Sequence, residues 1–277
     1  MTTKTNLIRK IILFCVLLLL VIVINIPIIY MISNSFKSLT EISTSISIFP
    51  KHFTFDNYIH LFTNTKIPLY LANSLIITAI STAITVIVAA CAGYILSRYT
   101  NHFTKIYGRF LLILQIFPII ISIIPLFILF TRFHLMNTKL AMIIVYIAIG
   151  LPYSVWMFRA YFEAVPKAME EAAWIDGSSR AHTFFSIVLP ISGPGISAVT
   201  SFVFVMSWNE YMVASTFLKS MSSYTITVGI QMFVNDFNAQ WGYMMASTTI
   251  AMIPTLILFI YLQKYLISGY TAGSTKG

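Results

Sequence analysis

Six stretches of the chain are long and apolar enough to cross a bilayer, and polar or basic residues separate them. They cover 11–32, about 75–96, about 110–130, about 140–158, about 196–218 and about 246–262. A hydrocarbon core about 30 Å thick takes roughly 20 helical residues, so the pattern predicts an all-α protein with six transmembrane helices. Pro27 falls inside the first stretch, and Pro118 and Pro125 fall inside the third, where helix kinks are expected. The first stretch is longer than the apolar core of a secretory signal and lacks a small-residue cleavage site, so it is expected to stay as a span.

The polar stretches between spans differ in character. Residues 33–68 are mixed, and Phe53-Thr54-Phe55-Asp56-Asn57-Tyr58 with Leu61-Phe62 interleaves aromatic and polar positions, as a segment at a membrane interface does. That segment suits either a packed loop or a surface that receives a partner. Arg98, His102, Lys105 and Arg109 form a short basic connection between the second and third spans, and 219–243 makes a second long loop. The most distinctive interruption lies between the fourth and fifth spans, from Glu170-Glu171-Ala172-Ala173-Trp174-Ile175-Asp176-Gly177 on to Ile187-Val188-Leu189-Pro190. Pro166 suits the first turn of a helix, Ala172 and Ala173 favour its interior, and Gly177 is the residue most able to take the left-handed turn that ends one. A short helix, a sharp turn and a second helix starting near Ser178 or Ser179 are therefore expected.

Composition settles the broad class. With 58% hydrophobic and 9% charged residues and a mean hydropathy of +0.87, the chain is far more apolar than a soluble domain. It reads as one transmembrane domain over 1–277, in contact with membrane lipid. The net charge of +9 does not point to nucleic acid, because the basic residues stand at the ends of apolar runs rather than in a cluster. Six spans put both termini on one side. Eleven basic residues (Lys4, Arg9, Lys10, Arg98, Lys105, Arg109, Arg159, Lys167, Arg180, Lys264 and Lys276) then share a face, against six on the other (Lys37, Lys51, Lys66, Arg132, Lys139 and Lys219). Basic loops favour the cytoplasm, so both termini and the interruption around Glu171 are expected there.

Glu210 is the sole acidic or basic residue inside an expected span. Near a helix centre such a group costs roughly 2.5 to 3.5 kcal/mol on insertion scales, so it should face protein or water. It suits a pathway or gate, or a packing hydrogen bond with a neighbouring subunit, and Asn209 and Tyr211 share both readings. Several chemistries find no support. The five histidines have no metal-ligand spacing, and neither a metalloprotease pair nor a nucleophile elbow is present, so an enzyme is not expected. Cys15 and Cys91 lie in apolar runs as small hydrophobes. The chain has no phosphate-cradling G-x-x-x-x-G-K-[ST] loop and no soluble region the size of a solute-binding domain.

The interruption resembles a known signature. Glu171-Ala172-Ala173, three residues, Gly177, nine residues, Ile187, one residue and Leu189-Pro190 are similar to the loop of permease subunits of binding-protein-dependent ABC importers. The resemblance implies that this loop is a cytoplasmic coupling helix between spans four and five, docking into a separate ATP-hydrolysing subunit. Glu170, Glu171, Ala172, Ala173, Asp176, Gly177, Ile187, Leu189 and Pro190 would carry that contact. Trp208-Asn209-Glu210-Tyr211, Asn57-Tyr58, Leu61-Phe62 and the ending Thr271-Ala272-Gly273-Ser274-Thr275-Lys276-Gly277 resemble the carbohydrate branch, specifically the maltose-type second permease subunit. Nearly the whole chain is covered. What this implies is a second, different permease, two ATPase subunits that hold ATP and Mg, and an extracytoplasmic sugar-binding protein, with no cofactor in this chain. A permease for a non-sugar solute, a secondary transporter or channel, and a membrane scaffold are the competing readings; an ATPase that co-purifies separates the importer from the last two.

Overall fold

A computed structural model describes the backbone of residues 2–234 and 240–273 and the side chains of 9–234 and 240–265. In chain order the helices are α1 (Thr2–Ser35), α2 (Leu39–Thr44), α3 (Asp56–Asn64), α4 (Ile67–Arg98), α5 (His102–Ile116), α6 (Ile119–Arg132), α7 (Lys139–Glu163) and α8 (Lys167–Ile175). There follow α9 (Arg180–Thr183), a π-helical turn (Phe184–Val188), α10 (Leu189–Ile191), α11 (Gly193–Trp208), α12 (Met212–Phe217), α13 (Ile226–Gln231) and α14 (Trp241–Gly273). No strand occurs among the described residues. Among the described residues four helices are long and apolar enough to cross a membrane unbroken: Arg9–Ser35, Ile67–Arg98, Lys139–Glu163 and Trp241–Tyr265.

The third and fifth apolar stretches depart from the expected straight spans. His102–Ile116 and Ile119–Arg132 meet at 99°, so the break at Phe117-Pro118 is a corner rather than a kink. Proline clashes with a helical residue before it, and Phe117 accordingly sits at φ −74°, ψ 119°. Pro125, by contrast, lies inside α6 without breaking it. The basic connection is also shorter than expected, because Asn101 accepts the Thr104 N–H at 2.9 Å and starts α5 at His102. Ahead of the fifth stretch Arg180–Ile191 and Gly193–Trp208 form a second bent pair, at 78°, and within the stretch Asn209 to Tyr211 break the chain again before α12. The loop expected over 219–243 contains α13 and the start of α14, while 235–239 lie outside the described residues. Counting each bent pair as one span gives up to six crossings; counting straight helices gives four.

The chain forms two compact units, one from the residues up to Pro68 with Ile230–Met252, the other from Leu69–Gly229 and the residues from Ile253 on. In the first, Asn57 is buried and donates to the carbonyls of Ser35 at 2.9 Å and Lys37 at 2.8 Å, which folds α3 back on the end of α1. Phe36 stacks on Phe53 at 4.6 Å and meets Tyr58 at 5.0 Å, so the aromatic-polar segment is packed in part, while Phe53, Phe55 and Phe62 stay exposed. The Glu41 carboxylate accepts the Lys51 N–H at 2.7 Å, and that bond holds its pKa below the usual carboxylate value. None of the apolar window of α1 is buried within the chain.

In the second unit α7 joins two apolar clusters. Met142, Val145 and Tyr146 pack with Ile77, Val213 and Phe217; Val155, Phe158 and Phe162 pack with Ala89, Leu111, Phe184 and Val203. Lipid tails are as apolar as leucine, so such helices associate through close packing, and small residues let backbones approach. Gly93 of α4 does this: an added Cβ would lie 2.7 Å from Phe158 Cβ and 2.9 Å from the Val155 carbonyl. Gly93→Ala should therefore destabilise the unit by about 1–3 kcal/mol, the range for overpacking a core. At Gly108, inside α5, the nearest atom would be 3.6 Å away, so Gly108→Ala should be neutral or stabilise by up to about 1 kcal/mol. Thermal midpoints of the two purified variants check this contrast.

Candidate functional site

The interruption between α7 and α11 is built from short-range bonds. Pro166, at ψ 127°, stands one residue ahead of α8 rather than inside its first turn. After nine helical residues α8 closes at the C-cap Asp176, and Gly177 takes φ +86°. The Gly177 N–H reaches the Trp174 carbonyl at 3.1 Å and the Ser178 N–H reaches Ala173 at 2.9 Å, the paired bonds of a Schellman stop. The Ser179 hydroxyl accepts from the His182 N–H at 3.2 Å and caps α9, so the second helix starts at Arg180, next to the expected Ser178 or Ser179.

The helical period divides the site residues into two faces. Glu171, Ala172, Asp176 and Gly177 lie at the surface, as does Pro190; Ile187 and Leu189 are half-buried. Ala173 and Glu170 turn inward, and Glu170 is only 1% exposed. Its Oε1 accepts from Arg98 Nε at 2.6 Å, and its Oε2 accepts from the Tyr94 hydroxyl at 2.5 Å. Arg98 Nη2 also donates to the Val165 carbonyl at 3.1 Å. Glu170 therefore faces an internal ion pair rather than the exposed side that carries Glu171. Arg98 and Tyr94 are site residues that the sequence reasoning missed, since Arg98 reads as a topology charge and Tyr94 as one more residue of the second apolar run. Arg180 Nη1 donates to the Tyr99 hydroxyl at 2.8 Å and stacks over Trp174, 5.4 Å from the ring centre. Tyr94, Arg98, Tyr99, Lys167, Glu170, Glu171, Trp174 and Arg180 line a cavity of about 210 Å³.

The second candidate group sits elsewhere. Glu210 lies at the break between α11 and α12, not within a helical span, and is half-buried. Its Oε1 accepts the Val213 N–H at 2.7 Å; its Oε2 accepts the Ala214 N–H and the Tyr146 hydroxyl, both at 3.0 Å. Thr227 Oγ1 donates to the Glu210 carbonyl at 2.8 Å. These partners belong to this chain, so no neighbouring subunit is needed to satisfy the carboxylate. Asn209 and Tyr211 are exposed beside it. Glu210 meets α7 at Tyr146, whereas the Glu170 cluster meets it at Phe162 through Tyr94, about 24 Å further along at 1.5 Å per residue. The two groups are thus not brought together. The end of the chain, Ser274–Gly277 and the side chains of Thr271, Ala272 and Gly273, lies outside the described residues.

Comparison with known proteins covers most of the chain. The model of the family described as binding-protein-dependent transport system inner membrane component matches residues 87–271. The trehalose/maltose transport system permease protein MalG of Thermococcus litoralis is 34% identical, covering 99% of both chains. The inner membrane ABC transporter permease protein YcjP of Escherichia coli is 31% identical over 100% of both. Among solved structures, a bacterial ABC transporter involved in the import of the acidic polysaccharide alginate shares the fold, with a TM-score of 0.80 at 20% identity over 95% of this chain and 98% of that one.

Proposed function

This chain belongs to the family of binding-protein-dependent transport system inner membrane components, and from that premise we propose that it is the permease subunit of an ATP-driven importer of a mono- or oligosaccharide. In this reading each bent helix pair counts as one span, the whole of 1–277 acts as one transmembrane domain, and both termini face the cytoplasm. The helix Lys167–Ile175 is the coupling helix. Its exposed side, with Glu171, Ala172 and Gly177, docks into a separate ATPase that holds ATP and Mg, while this chain holds no cofactor. A second, different permease pairs with this one, two ATPase subunits complete the inner side, and a sugar-binding protein delivers cargo from outside. Lipid or the second permease covers the apolar surface of α1. Closure of the ATPases pulls the coupling helix and tilts the fourth and fifth spans, so that access passes from outside to inside, with Asn209, Glu210 and Tyr211 toward the passage.

One observation carries the reading: a nine-residue helix that is anchored on its inner side at Glu170, exposed on its outer side, and stopped by a glycine in the left-handed region. A mere connector has no use for an anchored helix with an open face. The relatives named for trehalose, maltose and alginate support a sugar as the cargo. Deleting this subunit is expected to abolish high-affinity uptake of at least one labelled sugar. Loss of amino-acid or peptide uptake with every sugar unchanged would overturn the cargo and leave the importer standing.

A further inference from the structure

Among the described residues two ion pairs occur. Arg159 with Glu163 spans one helical turn at the surface, whereas Arg98 with Glu170 joins segments 72 residues apart and is almost wholly buried, at 8% and 1% side-chain exposure. Replacing such a pair by apolar side chains is often neutral or stabilising, so net stability is a weak account of why it is here. Its geometry is that of a brace. Arg98 is the last residue of α4, where a cation also complements the helix dipole. Its guanidinium reaches both the Glu170 carboxylate and the Val165 carbonyl, so it grips α8 together with the turn that leads into it, two residues ahead of Lys167. A lysine ammonium on a flexible stem does not reproduce that planar fork. One turn back, Tyr94 holds the other Glu170 oxygen, and its ring packs on Phe184 at 4.5 Å and Phe162 at 5.9 Å.

We propose that Arg98 and Glu170, with Tyr94, are positioning residues that make α8 and the C-terminal end of α4 move as one body, so that force applied to the exposed face of α8 is delivered to the second apolar helix as well as to the helices that flank the loop. This rests on the importer reading above. It adds a third driven helix to that reading, and it assigns Glu170 an internal task distinct from that of Glu171, its neighbour on the exposed face.

The test uses the assembled transporter with Cys15 and Cys91 replaced, and compares the intact brace with the paired change Arg98→Met with Glu170→Met. Arg98→Met alone strands a buried carboxylate and is expected to lower membrane abundance; the paired change, made together with Tyr94→Phe so that no hydroxyl loses its acceptor, removes both charges and should keep it. In the paired variant the ATPase should remain bound and hydrolyse ATP, while sugar imported per ATP falls about tenfold, within the range of coupling energies between sites. Spin labels at the exposed Ile95 and Ile175 give a second readout. With the brace intact their distance should stay narrow and unchanged between nucleotide-free and nucleotide-trapped states. In the paired variant it should broaden, even without ATPase. Unchanged import per ATP with an unchanged narrow distance in the paired variant would overturn the brace. Absence of any nucleotide dependence of uptake in the unmodified chain would instead sink the importer reading, while the distance without ATPase still reports on the brace.

Discussion

Sugar uptake should fall at least about tenfold in Gly177→Val and in Glu171→Lys, a loss of the order of one coupling free energy between sites, while both variants insert normally and keep the second permease. At φ +86° a residue with a side chain pays about 1–2 kcal/mol in the left-handed region, and β-branched valine is the least tolerant. An added Cβ at Gly177 meets nothing within 4 Å, so the chain itself offers no clash. The damage comes from the turn, whose two bonds to Trp174 and Ala173 set the angle at which α8 presents its outer face, and from bulk on that face. Gly177→Ala separates these causes, since it carries the backbone cost with little bulk, and should keep most of the uptake. Glu171→Lys leaves the turn intact and reverses charge on the exposed face, so it should weaken ATPase co-purification directly. Membrane abundance, ATPase co-purification and uptake are measured for each. Normal uptake by both Gly177→Val and Glu171→Lys would show that the loop only connects two helices.

Glu210→Ala is expected to lower abundance and thermal stability, by about 3 kcal/mol in all. Removing the carboxylate uncaps α12 at Val213 and Ala214, worth about 1 kcal/mol. It also strands the Tyr146 hydroxyl, whose residue is 1% exposed, and a buried group left unpaired costs about 1–3 kcal/mol. Glu210→Gln keeps an oxygen for the cap and should lose about half as much, and Tyr146→Phe removes donor and need together and should be mild. Stability of purified protein and sugar uptake are read side by side. Full abundance with lost uptake in Glu210→Ala would assign this residue to the passage alone and not to holding α12 and α7 together.

Much of the architecture was legible in the residues because the forces behind it are local. Apolar runs of membrane length mark their helices wherever they pack, so α1, α4, α7 and α14 lie where the pattern puts them. The end of α8 was equally readable, since a Schellman stop is made within six residues and needs little beyond a glycine able to take positive φ. Pro118 announced a disturbance in the third stretch, but only packing turned it into a 99° corner. The adjacent Glu170 and Glu171 are the same residue type in sequence, and the tertiary structure alone separates them. One meets Arg98 and Tyr94 from a helix more than seventy residues earlier, and the other lies at the surface. Likewise Glu210 was visible as a costly charge in an apolar stretch, whereas its role as a cap and its bond to Tyr146 depend on where α11 breaks beside α7. Local bonding and solvent preference determined the helices and the turn; the partners of each buried charge were decided by long-range packing, which places side chains by contact rather than by spacing along the chain.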